Sequence, residues 1–518
     1  MAASLSLTTL AGGSALAVEP VAEFPVGFEG YHTYEELSAE VATVAAAHPE
    51  IVRLFSMGRS YEGRELWAVT VSDNPQVNED EPEVLIDAAQ HSREPMSTEM
   101  ALYVLHELVD GYGVDPRVTT LVNSRETHIV FMVNPDGVTW DIRDGAFHHW
   151  RKNRQPTPGT DKIGTDINRN YDYQWGLRGS GADPGSYTFR GPSPFSAPES
   201  AAMRDFVLSR EVDGRQQIRM VLSFHVHGRK VLWPYGYTSV DTPPDMTLQD
   251  TAALRSHARA MGALNGYSAT QSGDWYLMSG VWRDWLYGRN RVFGWTFELG
   301  ATRYPDDAMI AVETSRNREA VLHLIEHADC PYRITGRQTL NCGPFFDDLE
   351  IDRGWVANPA GTDTATEGML ERATPQRSGA TVARQLTLSN GSFDLVTGAT
   401  AGGTEDEGDL DGLTSIRSPA IRLTGDGPFR LRFRYYFSHG PQSSAADHLR
   451  VFVVSGGSAE MVFQELGHPV DDAAAWSSAS IDLSRFAGQE IRLKIEAVDA
   501  GNDDVVEAAV DWVRVTRE

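Results

Sequence analysis

Residues 84–99 read VLIDAAQHSREPMSTE, and the junction inside this stretch decides the fold. Its first half, VLIDAAQ, has the length and apolar character of a buried strand, while TEMALYVLHELVDGYG, from Thr98 on, repeats its apolar residues at the spacing of an amphipathic helix. Between strand and helix stand His91, Arg93 and Glu94. A strand tail that places three such groups within four positions has little use for them unless they meet something charged.

Outward from this junction the pattern repeats. YEELSAEVATVAAAHPE at 34–50 reads as a helix, LWAVTVS at 66–72 as a strand, and THIVFMVNPDG at 127–137 as another strand. Alternation of this kind from Tyr31 to about Asp329 predicts an α/β unit with a mixed central sheet flanked by helices. Beyond Cys342 the texture changes: SIRSPAIRL, FRLRFRYYF, LRVFVVS, SIDLSRF, IRLKIEAV and AAVDWVRV alternate with period two between Gly, Ser and Asp clusters. These runs predict an all-β sandwich or jelly roll. The expected division is therefore a small-residue leader at 1–17, an α/β unit at 18–342 and a β unit at 343–518.

The leader ends on Ala-Leu-Ala at 15–17, the small-residue pattern of a secretory cleavage site, although no Lys or Arg precedes its apolar run. Because the stretch between Val18 and Tyr31 is short, activation by removal of an inhibitory pro-segment is not expected for the chain as written. No other apolar run is long enough to span a bilayer. Secretion and a monomeric state are the expectation. The formal charge of −27 excludes nucleic acid and anionic membranes as partners, since both select a basic face. The 28 acidic and 15 basic residues from Gly343 on show that the acidity is spread over both units. Cys330 and Cys342, the two cysteines, are separated by a short polar segment that suits a local disulfide in an exported protein. The acidic loop TEDEGDLDG at 404–412 lacks the alternating ligands of a calcium loop, so calcium there is unsupported.

His91 and Glu94 stand three apart, so on one turn they point the same way and can share a cation. Alone the pair says little, because His32 with Glu35 and His323 with Glu326 repeat the spacing. Three further features add weight. VLSFHVHG ends on His225 and His227, WTFELG places Glu298, and TDINRN sets Asp166, Asn168 and Arg169 on a polar turn. In open α/β sheets, ligands sit beyond the carboxyl ends of strands. Two histidines and a carboxylate with an open fourth position suit a catalytic zinc, and His91, Glu94 and one of His225 or His227 supply them.

At this point the residues resemble a known family, the zinc metallocarboxypeptidases of the carboxypeptidase A and B group and bacterial carboxypeptidase T. The likeness runs through YHTYEEL, GRSYEGREL, HSRE, VNPDG, WRKNR, DINRN, WPYGY, WTFELG and LIEH, and spans essentially the whole α/β unit. It implies cleavage of the C-terminal peptide bond of peptides and proteins with one catalytic Zn2+. His91, Glu94 and His225 would be the zinc ligands, and Glu298 the general base. Arg151 would polarise the scissile carbonyl, while Arg154 would be a surface charge. Asn168 and Arg169 would clamp the terminal carboxylate, which a planar guanidinium grips bidentately. Tyr276 would close over the bound terminus, Arg93 would reach one residue further in, and Asp166 would orient His91.

Two departures stand out. His227 shares a strand face with His225, so the strand pattern leaves both open as ligands, and the resemblance favours His225. Arg283, in SGVWRDW, occupies the slot that sets side-chain preference in the family, and an arginine there is expected to favour acidic C-terminal residues. Rival readings are a peptidoglycan or amino-acid amidohydrolase on the same fold and a non-catalytic binding protein. The Asn-Arg pair disfavours the first, and the full set of His91, Glu94, His225, Arg151 and Glu298 disfavours the second.

Overall fold

A computed structural model of the protein describes residues 22–79, 81–212, 215–350, 352–378, 382–387, 392–400, 408–425, 427–500 and 505–517. The expected leader at 1–17 lies outside the described residues, as do positions 404–407 of the acidic loop.

The α/β unit holds strands β1 (Val52–Arg59), β2 (Glu65–Val71), β3 (Glu83–Ala88), β4 (Glu126–Val130), β5 (Ile218–Val226), β6 (Lys230–Trp233), β7 (Ser268–Gln271) and β8 (Phe293–Leu299). They form one sheet in the order β1-β2-β4-β3-β5-β8-β6-β7. Pairings β3–β4, β3–β5, β5–β8 and β6–β7 are parallel and the rest antiparallel, which is the mixed sheet expected. Register matters most at the centre. Ala88 sits opposite Phe224, and His225 opposite Glu298. The carboxyl ends of β3, β5 and β8 therefore finish side by side.

Helices α1 (Tyr34–Ala47), α2 (Met96–Gly111), α3 (Pro116–Val122), α4 (Pro135–Asp141), α5 (Pro198–Ser209), α6 (Leu248–Asn265), α7 (Ser272–Trp275), α8 (Trp282–Asn290) and α9 (Ile310–Glu326) complete the unit. Local chemistry starts several of them. Thr33 accepts from the Glu36 N–H at 3.3 Å while Glu36 Oε2 accepts from the Thr33 N–H at 2.9 Å, a reciprocal cap on α1. The stretch THIVFMVNPDG departs from its strand reading. The strand stops at Val130, and Asn134 caps Gly137 N–H at 3.1 Å with Pro135 as the first helical residue of α4. Leu105 and Leu108 of α2, Leu324 and Ile325 of α9, and Leu222 and Phe297 of the sheet are fully buried in one apolar core. Each such side chain contributes roughly 1.5–3 kcal/mol.

After the disulfide Cys330–Cys342 the chain becomes all antiparallel. One sheet runs Leu370–Ala373, Asp394–Thr397, Val506–Arg517, Phe429–His439, Ser477–Asp482, with Phe345–Asp347 beside Val506–Arg517. The other runs Val356–Ala357, Gly412–Arg417, Glu490–Asp499, His448–Ser455, Ser458–Leu466. Leu431 and Val515 of the first and Val451 and Ile495 of the second share one core, so the two sheets form a sandwich.

Candidate active site

Where β3, β5 and β8 end, a cleft opens. His91, Glu94 and His225 line it, as do Arg151, Asn168, Arg169 and Glu298. Arg93, His227, Tyr276 and Arg283 complete the set of residues marked from the sequence in the wall. Asp166 is fully buried behind it.

The turn after β3 delivers His91 and Glu94, and the last residues of β5 deliver His225. His91 Nδ1 lies 2.9 Å from Glu94 Oε1, and His225 Nδ1 lies 2.9 Å from Glu94 Oε2 and 3.1 Å from His91 Nδ1. Val226 N–H donates to Glu94 Oε2 at 3.2 Å and fixes the carboxylate. Burial penalises the Glu94 charge, but His91 and His225 outweigh it and hold the group well below the usual carboxylate range. Among the described residues, these three offer one ligand atom each within 4.8 Å of one another. Two imidazole nitrogens and a carboxylate, all buried and facing one cleft, match the donor set of a catalytic zinc. His227 lies in the cleft wall but outside this group.

Asp166 ties the site together. Its Oδ1 lies 3.2 Å from His91 Nε2 and accepts from Asn168 N–H at 3.1 Å, while Oδ2 accepts from Arg151 Nε at 3.0 Å. Burial opposes its ionisation, yet Arg151, His91 and Arg169 hold it far below the ordinary carboxylate range. With Nε2 of His91 committed to Asp166, Nδ1 is turned to the shared point. The arginines are placed as well. Arg169 Nε donates to Gly179 carbonyl at 2.9 Å and Nη1 to Asn168 carbonyl at 2.6 Å, which leaves Nη2 and one Nη1 hydrogen for a planar ligand. Gly179 has φ +86° and approaches so closely that a Cβ there would lie 2.0 Å from the Leu277 carbonyl.

Glu298 is raised to about 8, first by burial and then by the Glu94 carboxylate, against the pull of Arg283, Arg151 and Arg169. Arg283 is buried in the wall, its Nη1 donating to Thr296 Oγ1 at 2.6 Å and its Nε 3.9 Å from Asp284 Oδ1. Tyr276, by contrast, is 44% exposed at the mouth.

A family model described as zinc carboxypeptidase matches residues 37–320, more than half of the chain. The chain belongs to the zinc carboxypeptidase family. It is 42% identical over 320 residues to a zinc carboxypeptidase of Saccharothrix mutabilis subsp. capreolus, covering 61% of this chain and 73% of that one. Carboxypeptidase A1 of Rattus norvegicus is 30% identical over 275 residues, 52% of this chain and 63% of its own length, so the chain spans less than two thirds of that relative. Among solved structures, thrombin activatable fibrinolysis inhibitor aligns with a TM-score of 0.53 at 25% identity, covering 57% of this chain and 74% of that one. Carboxypeptidase A from Helicoverpa armigera aligns at 0.51 and 26%, covering 57% and 73%. As a zinc carboxypeptidase the chain is a metallocarboxypeptidase hydrolase with one catalytic Zn2+, and the His91, Glu94, His225 group is a site of the two-histidine, one-glutamate type.

Some features of this family member escape its sequence. Arg154, expected at the surface, instead stacks over Trp140 at 3.6 Å with its side chain 9% exposed. A partner 14 positions away gives no local signal. Asp284 receives the N–H groups of Gly236 and Tyr237 and so backs Arg283 from the next position, where helix geometry turns neighbours apart. Thr296 could have been found, because period two places it on the face of Glu298. Arg303 lines the cleft from an irregular segment and carries no pattern.

Proposed function

We propose that the chain releases the C-terminal residue of peptides and proteins, with His91, Glu94 and His225 as the zinc ligands. The observation that carries this reading is the β5–β8 register, which sets Glu298 opposite His225 in a cleft that Arg169 also lines. When bound, zinc supplies Lewis acidity that makes water a stronger acid and polarises a carbonyl. In this reading Glu298 takes the proton of the attacking water and hands it to the departing amine, a task suited to a carboxyl raised to about 8. Arg151, aimed by Asp166, donates to the scissile carbonyl oxygen as charge develops on it. Asn168 and the free edge of the Arg169 fork bind the terminal carboxylate, the grip that restricts cleavage to chain ends. Tyr276, exposed at the mouth, closes over the bound terminus, and Arg93 holds the preceding residue.

The pocket for the released side chain ends at Arg283, which supports a preference for acidic C-terminal residues. Release kinetics on blocked dipeptides ending in Glu, Leu and Lys test both statements. The Glu peptide is expected to have the highest kcat/KM, and Arg283→Met to cost it at least about tenfold relative to the Leu peptide. A preference for Lys would refute the specificity, and no chelator-sensitive release from any of the three would refute the activity. The Cys330–Cys342 disulfide supports export, with residues 1–17 as the leader. No helix of the described residues is long and apolar enough to cross a membrane.

A further inference from the structure

A second histidine cluster lies apart from the cleft, on two helices that the proposed reaction does not use. His257 projects from α6, His323 from the last turn of α9, and His327 caps that helix one turn later. Each of the three offers a ring nitrogen within 4.8 Å of the others, and none lines the cleft. Their hydrogen bonds fix which nitrogens are available. His257 Nε2 lies 2.7 Å from the Pro331 carbonyl, an acceptor only, so Nε2 carries the proton and Nδ1 the lone pair. That Nδ1 is 3.1 Å from His323 Nε2. His327 Nδ1 lies 2.8 Å from the His323 carbonyl, so its proton is also spent on backbone and its Nε2 lone pair is free. Backbone carbonyls thus orient two of three imidazoles from behind, the arrangement that aims histidine ligands at a metal.

The surroundings are compatible with a cation. Two guanidiniums, Arg117 and Arg333, lie within electrostatic reach, and both are already held by carboxylates: Arg117 by Glu319 and Glu326, and Arg333 by Asp329 at 2.9 Å. The buried group Glu83, Glu126 and His128, also outside the cleft, is by contrast already compensated by Arg210. Among the described residues, no arginine or lysine bonds any of the three ring nitrogens here.

We propose that His257, His323 and His327 form a second metal site, taking a divalent first-row ion of the zinc type through three imidazoles. Imidazole donors select such ions over calcium or magnesium. His257 is fully buried while His323 and His327 are partly exposed, so the fourth position faces outward. The site is structural: it cross-links α6 to the end of α9 and, through Pro331, to the disulfide loop.

The test uses the full chain, stripped of metal and dialysed against zinc chloride at low micromolar free zinc. The parent is expected to hold two equivalents, and His327→Gln and His323→Gln to hold one each. Both variants should keep kcat/KM on a blocked dipeptide within about twofold of the parent, and the parent should gain at least about 3 °C more in Tm from zinc than either variant. A Glu94→Gln chain should lose the other equivalent and keep this one. His327 is partly exposed, so its substitution is expected to leave the fold intact, and circular dichroism checks this. One equivalent in the parent, or two retained in both histidine variants, would overturn the proposal.

Discussion

Asp166 is the residue on which most of the site depends, although it touches no cleft. It faces His91, Arg151 and the Asn168 backbone with two oxygens, so one carboxylate aims the proposed zinc ligand His91 and the proposed oxyanion donor together. Asp166→Ala is expected to weaken zinc binding 10–100-fold and to lower kcat/KM further than that loss explains, since Arg151 is freed as well. Zinc affinity unchanged in the variant would remove the orienting role. His91, Glu94, His225 and Glu298 were legible because each stands at the exit of an apolar strand, where a charged group has no structural excuse. The neighbours that hold them were less so. The link from Asp166 to Arg151 joins two loops, and nothing in either loop's pattern shows that they meet.

At the scale of elements, the helices and strands followed from periodicity and their order in the sheet did not. Parallel neighbours such as β5 and β8 are joined through long crossovers, and pairing is settled by packing that no local pattern records. The NPDG turn shows the opposite failing. Its Asn cap and leading Pro are local helix-start signals, overridden in the strand reading by the apolar run before them. A second element-scale device joins α1 to α2. His32 bridges Glu99 of α2 and Glu40 of α1 at 2.8 Å each, and its backbone N–H also donates to Glu99. The Glu99 hydrogen bond, against opposing burial, raises His32 from 6.5 to about 9. A base raised on folding stabilises below its unfolded value, and that contribution fades as pH climbs from about 6.5 through 9. Urea titrations at pH 6 and above pH 9 are expected to show His32→Gln losing about 1–2 kcal/mol less over this window than the parent, a figure discounted for partial exposure. Equal losses would mean that the bridge contributes nothing.

The whole molecule is two units, and a polar pair lies in the seam between them. Arg291, at the end of α8, donates to the Asp245 carbonyl at 2.7 Å and lies 3.8 Å from Asp348, which follows the first strand of the sandwich and is 2% exposed. Arg291→Met removes the guanidinium, which lies over the Tyr287 ring as well as beside Asp348, with an expected cost of about 2–4 kcal/mol in denaturant unfolding. Adding Asp348→Asn should recover most of it. A single variant within about 0.5 kcal/mol of the parent would show that the seam does not need the pair. The change of texture near Cys342 was plain in the sequence, whereas the seam was not, because Arg291 and Asp348 are 57 positions apart and their neighbours Val292 and Leu349 belong to different cores.

Convergence of β3, β5 and β8 on one ion is most directly tested by Glu298→Gln, measured for zinc content and for release of a C-terminal residue. The substitution keeps size and removes the proton acceptor, so zinc content should match the parent while kcat/KM falls by about 10²–10⁴. Turnover within tenfold of the parent at full zinc content would contradict the assignment.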